Sequence, residues 1–206
     1  MHIAIAGNIG SGKTTLTRLL ARHYGWEPHY ESVDFNPYLS DFYYDMNRWS
    51  FNLQVYFLKE RLKDILSFQS SGKDIIQDRT IYEDAKIFAP NLFRQGNMNT
   101  RDFETYSDLF DQMQNLIKYP DLTIYLKTTV PTLVAQIQKR GREYENSMRI
   151  DYLQGLHELY EEWIEDYGGR VLVINADICK FEDNPADFED VVRQIDQTIS
   201  LLKDQR

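Results

Sequence analysis

The segment Gly7-Asn8-Ile9-Gly10-Ser11-Gly12-Lys13-Thr14, followed by Thr15, has the composition and spacing of a loop that wraps phosphate. Its glycines let successive backbone N–H groups face phosphate oxygens at dihedrals that a side chain would obstruct. A helix following such a loop adds the positive end of its dipole. Lys13 is then placed to reach the β- and γ-phosphates, and the Thr14 hydroxyl to ligate Mg²⁺. The motif lies between the apolar run Ile3-Ala4-Ile5-Ala6 and a helical pattern, a context that a chance glycine-rich turn lacks. A phosphate loop alone does not name a reaction. The Asn-Lys-x-Asp pattern that reads guanine is absent, which argues against a GTPase.

Phosphoryl transfer to a small molecule needs three further parts: a group that orients the acceptor hydroxyl, positive charge for the moving phosphoryl, and a lid. Glu31 follows a short strand, where an open parallel sheet presents its ligand-facing residues, and its carboxylate can accept a hydroxyl proton. A solvated loop acid would look the same. Asp78-Arg79 ends another strand; Arg79 can neutralise charge and Asp78 can orient Mg²⁺ through water, although a structural salt bridge is the competing account. Arg140 and Arg142 flank Gly141 and can close over ATP phosphates, while an arginine at a helix C-terminus also serves the dipole. Gln54 offers a donor and an acceptor side by side, matching a nucleobase edge. Arg61 lies two helical turns further on the same face, and Asp84 can meet it. An aromatic core with a surface ion pair would use these same residues.

Strand and helix patterns alternate along the chain, which predicts an α/β fold of three α/β/α layers around a mostly parallel, five-stranded sheet. The strands are Ile3–Ala6, a short run ending near Glu31, Ile75-Ile76, Leu122–Leu126 and Val171–Ile174. The spacing predicts helices from Thr14 to about Tyr24, with Leu16, Leu19 and Leu20 inward and Gly25 as the stop, and from Tyr38 to about Phe68, with Leu53, Phe57 and Leu62 in the core. A further helical stretch starts at Tyr82 and is kinked or ended by Pro90. Asn99 or Thr100 caps a helix reaching about Tyr119, Pro131 suits the first turn of the next, and Gly141 ends it. Helices over about Arg149–Tyr167 and from near Pro185 complete the pattern. The charged segment Arg140–Glu145 reads as a loop, part of a lid at about 140–147. No repeat or linker interrupts the chain, so residues 1–206 read as one domain.

A net charge of −9 opposes a nucleic-acid partner, because binding a long polyanion requires a basic face. A single nucleotide needs only a few local arginines. No run approaches the roughly 18 apolar residues of a membrane span, and the first strand leaves no room for a signal peptide, so neither membrane nor export is expected. The one cysteine, Cys179, reads as a plain thiol in a reducing cytoplasm.

Taken in order, Gly7–Thr14, Glu31-Ser32-Val33-Asp34-Phe35-Asn36-Pro37-Tyr38, Tyr43 through Gln54, Asp78-Arg79-Thr80, Arg140-Gly141-Arg142 and Asn175-Ala176-Asp177 resemble the deoxynucleoside kinase family, most closely its bacterial deoxyadenosine/deoxyguanosine kinase branch. The resemblance covers nearly the whole chain. It implies a P-loop kinase fold and ATP-dependent, Mg²⁺-assisted phosphorylation of a deoxynucleoside 5′-hydroxyl in salvage. It implies Glu31 as general base, Arg79 and Lys13 beside the transferred phosphoryl, and Thr14 and Asp78 at the metal. Leu53, Gln54, Arg61, Asp84 and Phe88 would receive the base, with Phe88 stacking, while Tyr43 and Glu145 hold the sugar 3′-hydroxyl. Arg140 and Arg142 correspond to lid arginines. The family is usually a homodimer. Two positions depart from its pattern. Ser32 stands where proline is common, and Asp78 replaces the glutamate of the animal branch, so it would reach Mg²⁺ through water.

A nucleoside monophosphate kinase resembling thymidylate kinase is the nearest enzymatic alternative, but a phosphorylated acceptor needs cations and has little use for Glu31. A non-catalytic nucleotide-binding member of the fold would be free to lose Lys13, Glu31 or Arg79, and all are present.

Overall fold

The run Ile3–Ala6 is apolar throughout because both faces of its strand are covered. In the computed structural model, which describes residues 1–31 and 36–203, β1 (His2–Ala6) is the middle strand of a five-stranded sheet in the order β2-β3-β1-β4-β5. The others are β2 (Glu27–His29), β3 (Ile75–Asp78), β4 (Leu122–Lys127) and β5 (Val171–Asn175). Every pairing is parallel, with Ile3 opposite both Ile76 and Leu122. β1 sends its crossover to one side and the later strands build on the other, so the sheet's carboxyl edge opens a crevice beside β1. Ser32-Val33-Asp34-Phe35 of the acceptor motif lie outside the described residues.

Two cores sandwich the sheet. Ile3, Ile5 and Ile124 pack against Leu16 and Leu20 of α1 (Lys13–Tyr24) and Val191 and Ile195 of α9 (Pro185–Lys203). On the other face Ala6 joins Leu53, Phe57 and Leu58 of α3 (Met46–Ser71) and Leu156 and Tyr160 of α8 (Ile150–Glu165). This is the expected three-layer α/β/α arrangement. Leu19 and Leu62 pack half-buried at the margins of these cores.

Four local expectations change. The helical pattern from Tyr38 is two helices, α2 (Leu39–Tyr44) and α3, because Asp45 leaves helical dihedrals and its carboxylate caps α3 by accepting Arg48 N–H at 3.1 Å. Pro90 does not end its helix. After α4 (Ile81–Glu83) the chain passes through a π turn, Asp84–Phe88, and continues as α5 (Ala89–Arg94), so the bond that proline cannot donate falls at a widened turn. Helix α6 (Thr100–Gln114), capped by Asn99, stops short of Tyr119, which precedes Pro120 and stacks flat on Tyr82 with ring centroids 4.2 Å apart. Beyond α7 (Val130–Arg140), the expected loop is a 3₁₀ turn, Glu143–Ser147.

Candidate active site

Where β1 ends, the chain turns through Gly7 to Gly12 into α1. Gly10 and Gly12 have φ of 87° and 95°, a region hostile to side chains. A Cβ on Gly10 would also lie 3.0 Å from the Leu133 carbonyl. Asn8 fastens the loop: its Oδ1 accepts Ile9 N–H at 2.7 Å and its Nδ2 donates to the Leu153 carbonyl of α8 at 3.2 Å. Lys13 is buried and donates to the Asn8 carbonyl at 2.9 Å. Burial, with Arg79 nearby, lowers its ammonium to about 8. Ser11 is buried within the loop, and Thr15 faces the cavity described below.

Thr14 donates its hydroxyl to Asp78 Oδ2 at 2.6 Å, joining the first turn of α1 to the end of β3. Asp78 Oδ1 is buried with no hydrogen-bond partner among the described residues. A buried carboxylate oxygen left over beside a hydroxyl suits Mg²⁺, which takes one or two protein oxygens and keeps waters for its other positions.

Glu31 stands just beyond β2. One of its oxygens lies 2.8 Å from Arg61 Nη2 and 2.8 Å from Arg79 Nε. Burial alone would raise this carboxyl, but the two guanidiniums overrule it and hold it at about 2. Arg61 Nε reaches Asp84 Oδ2 at 2.6 Å. Burial pushes Asp84 up to about 6 against the pull of Arg61 and Arg79. Gln54, one turn before the Phe57–Leu58 core positions, is buried with its Oε1 unpaired. The Arg79 guanidinium also lies over the Phe88 ring at 4.3 Å. Arg79 is the one non-glycine residue with positive φ, 68°, among those described, a conformation costing about 1–3 kcal/mol.

Loop and acids share a cavity of about 650 Å³, room for a nucleoside with phosphates. Ile9, Gly10, Gly12, Lys13, Thr14 and Thr15 line one end. Glu31, Tyr43, Leu53, Gln54, Asp84 and Phe88 line the other, with Asp78 and Arg79 between them in the motif that ends β3. Gly7, Asn8 and Ser11 support the loop from outside the cavity lining, and Arg61 stands behind Asp84 and Glu31. Arg140, Arg142 and Glu145 form the rim. Glu145 Oε1 lies 2.6 Å from Arg140 Nη2 and 3.7 Å from Arg142 Nη1, so one acid holds both arginines. Tyr43 stacks on Tyr144 at 5.6 Å, and its carbonyl accepts the Ser147 hydroxyl at 3.4 Å.

Sequence reasoning missed three participants. Tyr152 lines the cavity, and Glu83 and Tyr160 lie buried behind Arg79. Thr80-Ile81-Tyr82-Glu83 carries the capping-box spacing, and the box is formed, so Glu83 was legible as a cap. Nothing local marks Tyr160 beyond its place on the buried face of α8.

Comparisons with known proteins concern the chain as a whole. A model of the family described as Deoxynucleoside kinase matches residues 3–200. The deoxyadenosine/deoxycytidine kinase of Bacillus subtilis (strain 168) is 38% identical over 200 residues, covering 96% of this chain and 92% of that protein. The deoxyguanosine kinase of the same organism is 32% identical over 206 residues, covering 96% and 97%. Among solved structures, that of deoxyadenosine kinase from M. mycoides with dCMP and a flexible dCDP superposes with a TM-score of 0.86 at 30% identity, over 96% of this chain and 100% of that one.

Proposed function

The chain belongs to the deoxynucleoside kinase family, and from that premise we propose how its residues divide the reaction and which deoxynucleoside they take. It is a kinase that phosphorylates the 5′-hydroxyl of a deoxynucleoside in nucleotide salvage. ATP is the donor we propose, with its phosphates in the Gly7–Thr14 loop. A groove beside that loop, lined by Gly12, Thr132, Gln136, Lys139 and Phe181, suits the donor base. Residues 1–206 act as one domain in this reading, with 140–147 as the lid.

One observation carries the mechanism: Glu31, clamped by Arg61 and Arg79, shares a cavity with the phosphate loop. Glu31 accepts the hydrogen bond of the 5′-hydroxyl, aims its oxygen at the γ-phosphorus, and takes the proton as the new P–O bond forms. A carboxylate held at about 2 is a weak base, so its first contribution is orientation, with proton transfer late, as a loose transition state allows. Arg79 and Lys13 face the charge on the transferring oxygens. Thr14 and Asp78 would hold Mg²⁺, which when bound neutralises phosphate charge. Arg140 and Arg142 leave Glu145 for the phosphates as the lid closes. Glu145 and Tyr43 are then available to the sugar 3′-hydroxyl.

Gln54, with its unpaired buried Oε1, and Asp84, aimed by Arg61, read the base edge between Leu53 and Phe88. Both are acceptors that suit an exocyclic amine, and we assign the substrate as deoxyadenosine or deoxyguanosine. Deoxycytidine is the second reading, favoured by the names of the Bacillus relative and of the dCMP-bound structure. A monophosphate acceptor is disfavoured, because Glu31 and Asp84 already neutralise the acceptor-side arginines. We further propose a homodimer through α3 and α6. Leu66 of α3, Leu109 of α6 and Leu116 in the turn after α6 are exposed there, and Gln69 of α3 donates to the Leu116 carbonyl. Sedimentation equilibrium yielding only monomer at micromolar concentration would contradict it. The half-buried Cys179 thiol and the need for ATP suit the cytoplasm. An ATP-coupled assay offering deoxyadenosine, deoxyguanosine, deoxycytidine, thymidine and their monophosphates tests the substrate assignment. A purine deoxynucleoside should be preferred, and preference for a monophosphate would overturn the assignment.

A further inference from the structure

Glu83 is fully buried, and its carboxylate gathers contacts from both halves of the site. Oε2 accepts Thr80 N–H at 2.6 Å and the Thr80 hydroxyl at 3.1 Å. Oε1 accepts the N–H of Gly7, the first residue of the phosphate loop, at 3.2 Å and the Tyr160 hydroxyl at 2.7 Å. That same Tyr160 oxygen accepts Arg79 Nη1 at 3.0 Å. Both ends of Arg79 are therefore referred to one acid: its side chain through Tyr160, and its backbone through the Thr80 peptide that follows it. Its own N–H is fixed on the Ile5 carbonyl of β1 at 3.0 Å.

An arginine in a left-handed conformation needs such over-determination, since its backbone relaxes unless neighbours hold it. The guanidinium has few ways to turn. Nε lies 2.8 Å from Glu31 Oε1 as an ion pair without the alignment of a hydrogen bond, Nη1 donates to Tyr160, and the Phe88 ring covers a face at 4.3 Å. Arg79 also lines the cavity beside Lys13 and Thr14, where its guanidinium can meet a phosphoryl oxygen. In-line transfer depends on the registration of donor and acceptor to within a fraction of an ångström, and here the loop's entry and the arginine's aim share a reference point.

Resting on the kinase reading above, we infer that Tyr160 and Glu83 are positioning residues for phosphoryl transfer. The Tyr160 hydroxyl aims Arg79, and the Glu83 carboxylate registers that aim against the phosphate loop. The effect belongs in kcat, because Arg79 is aimed at charge that develops during transfer.

A double-mutant cycle tests this, with kcat, deoxynucleoside KM, ATP affinity and thermal midpoint measured for each protein. Tyr160→Phe keeps the ring stacked on Tyr125 and removes only the hydroxyl. It should lower kcat about tenfold or more, the scale of a lost hydrogen bond to a charged group, with KM and ATP affinity within about twofold of wild type. In an Arg79→Ala background the same change should alter the residual kcat less than about twofold, since the hydroxyl acts through Arg79. Glu83→Gln, the second variant, should lower kcat and also weaken ATP binding, through Gly7. Wild-type kcat in a folded Tyr160→Phe protein, or an equal loss with and without Arg79, overturns the inference and assigns the pair to folding alone. If Tyr160→Phe does not fold, the Glu83→Gln cycle decides by kcat at saturating ATP, where the loss should shrink in the Arg79→Ala background and an equal loss overturns the inference. A wild-type protein inactive on every deoxynucleoside would instead overturn the kinase reading.

Discussion

Replacing Glu31 with glutamine keeps the side chain's shape and removes its charge. Glu31 faces Arg61 and Arg79 at 2.8 Å each, and these arginines bring its carboxyl from an ordinary 4.5 to about 2. At about 1.4 kcal/mol for each pH unit, the folded state favours the ionised acid by about 3 kcal/mol. Because the folded value is depressed, this contribution is complete above about pH 4.5 and is lost as pH falls toward about 2. Glu31→Gln should therefore lower the midpoint of thermal unfolding by about 6–12 °C near neutral pH. The gap from wild type should narrow on acidification, as the native protein loses the same contribution. Catalytically, removal of a proton acceptor should reduce kcat by about 10²–10⁴. ATP affinity, measured by titration without nucleoside, should stay within about twofold, because the loop contacts do not involve Glu31. A coupled spectrophotometric assay and calorimetry at several pH values give both readouts. A variant with kcat within about threefold of wild type would remove Glu31 from the reaction. A midpoint difference unchanged between about pH 7 and pH 3 would refute the ion-pair reasoning.

Two other expectations follow from single atoms. Gln54 carries a buried acceptor without a partner, so Gln54→Met should raise the unfolding midpoint by a few degrees while lowering kcat/KM for the nucleoside about 100-fold; a midpoint that falls with kcat/KM unchanged would contradict a base-reading role. Asp84, at about 6 and faced by Arg61, Arg79, Glu31 and Glu83, should govern acid loss of nucleoside binding. Protonation removes its acceptor charge, so nucleoside affinity measured without ATP should weaken about tenfold per pH unit below about 6, and Asp84→Asn should abolish that dependence. Glu31 stays ionised across that range and does not contribute. An affinity that is flat in wild type from about pH 5 to 7 would exclude this assignment.

What was legible in the sequence is what contiguous residues determine. Gly7–Thr14 announces the phosphate loop because its glycines, lysine and hydroxyl are adjacent, and the parallel sheet follows from fully apolar strands separated by helical patterns. The acceptor pairing of Arg61 with Asp84 was also within reach, since helix period placed Arg61 on the face of Gln54. The break at Asp45 was harder to see. The aromatic pattern runs through it, and an N-cap inside a helical stretch competes with propensity on nearly equal terms. Tyr160 was out of reach, because its contact with Arg79 joins residues 81 apart through tertiary packing. The sharing of Glu145 by Arg140 and Arg142 depends likewise on how the 3₁₀ turn folds back on α7.

The central claim is that the terminal phosphoryl of ATP is delivered to a deoxynucleoside 5′-oxygen aimed by Glu31. Product analysis by ³¹P NMR tests it directly, with deoxyadenosine, deoxyguanosine or deoxycytidine as acceptor. A monophosphate resonance coupled to the 5′-methylene protons should form in step with ADP and be absent when the acceptor lacks its 5′-hydroxyl. Inorganic phosphate as the sole new species, or phosphorylation only of an acceptor that already carries phosphate, would contradict it.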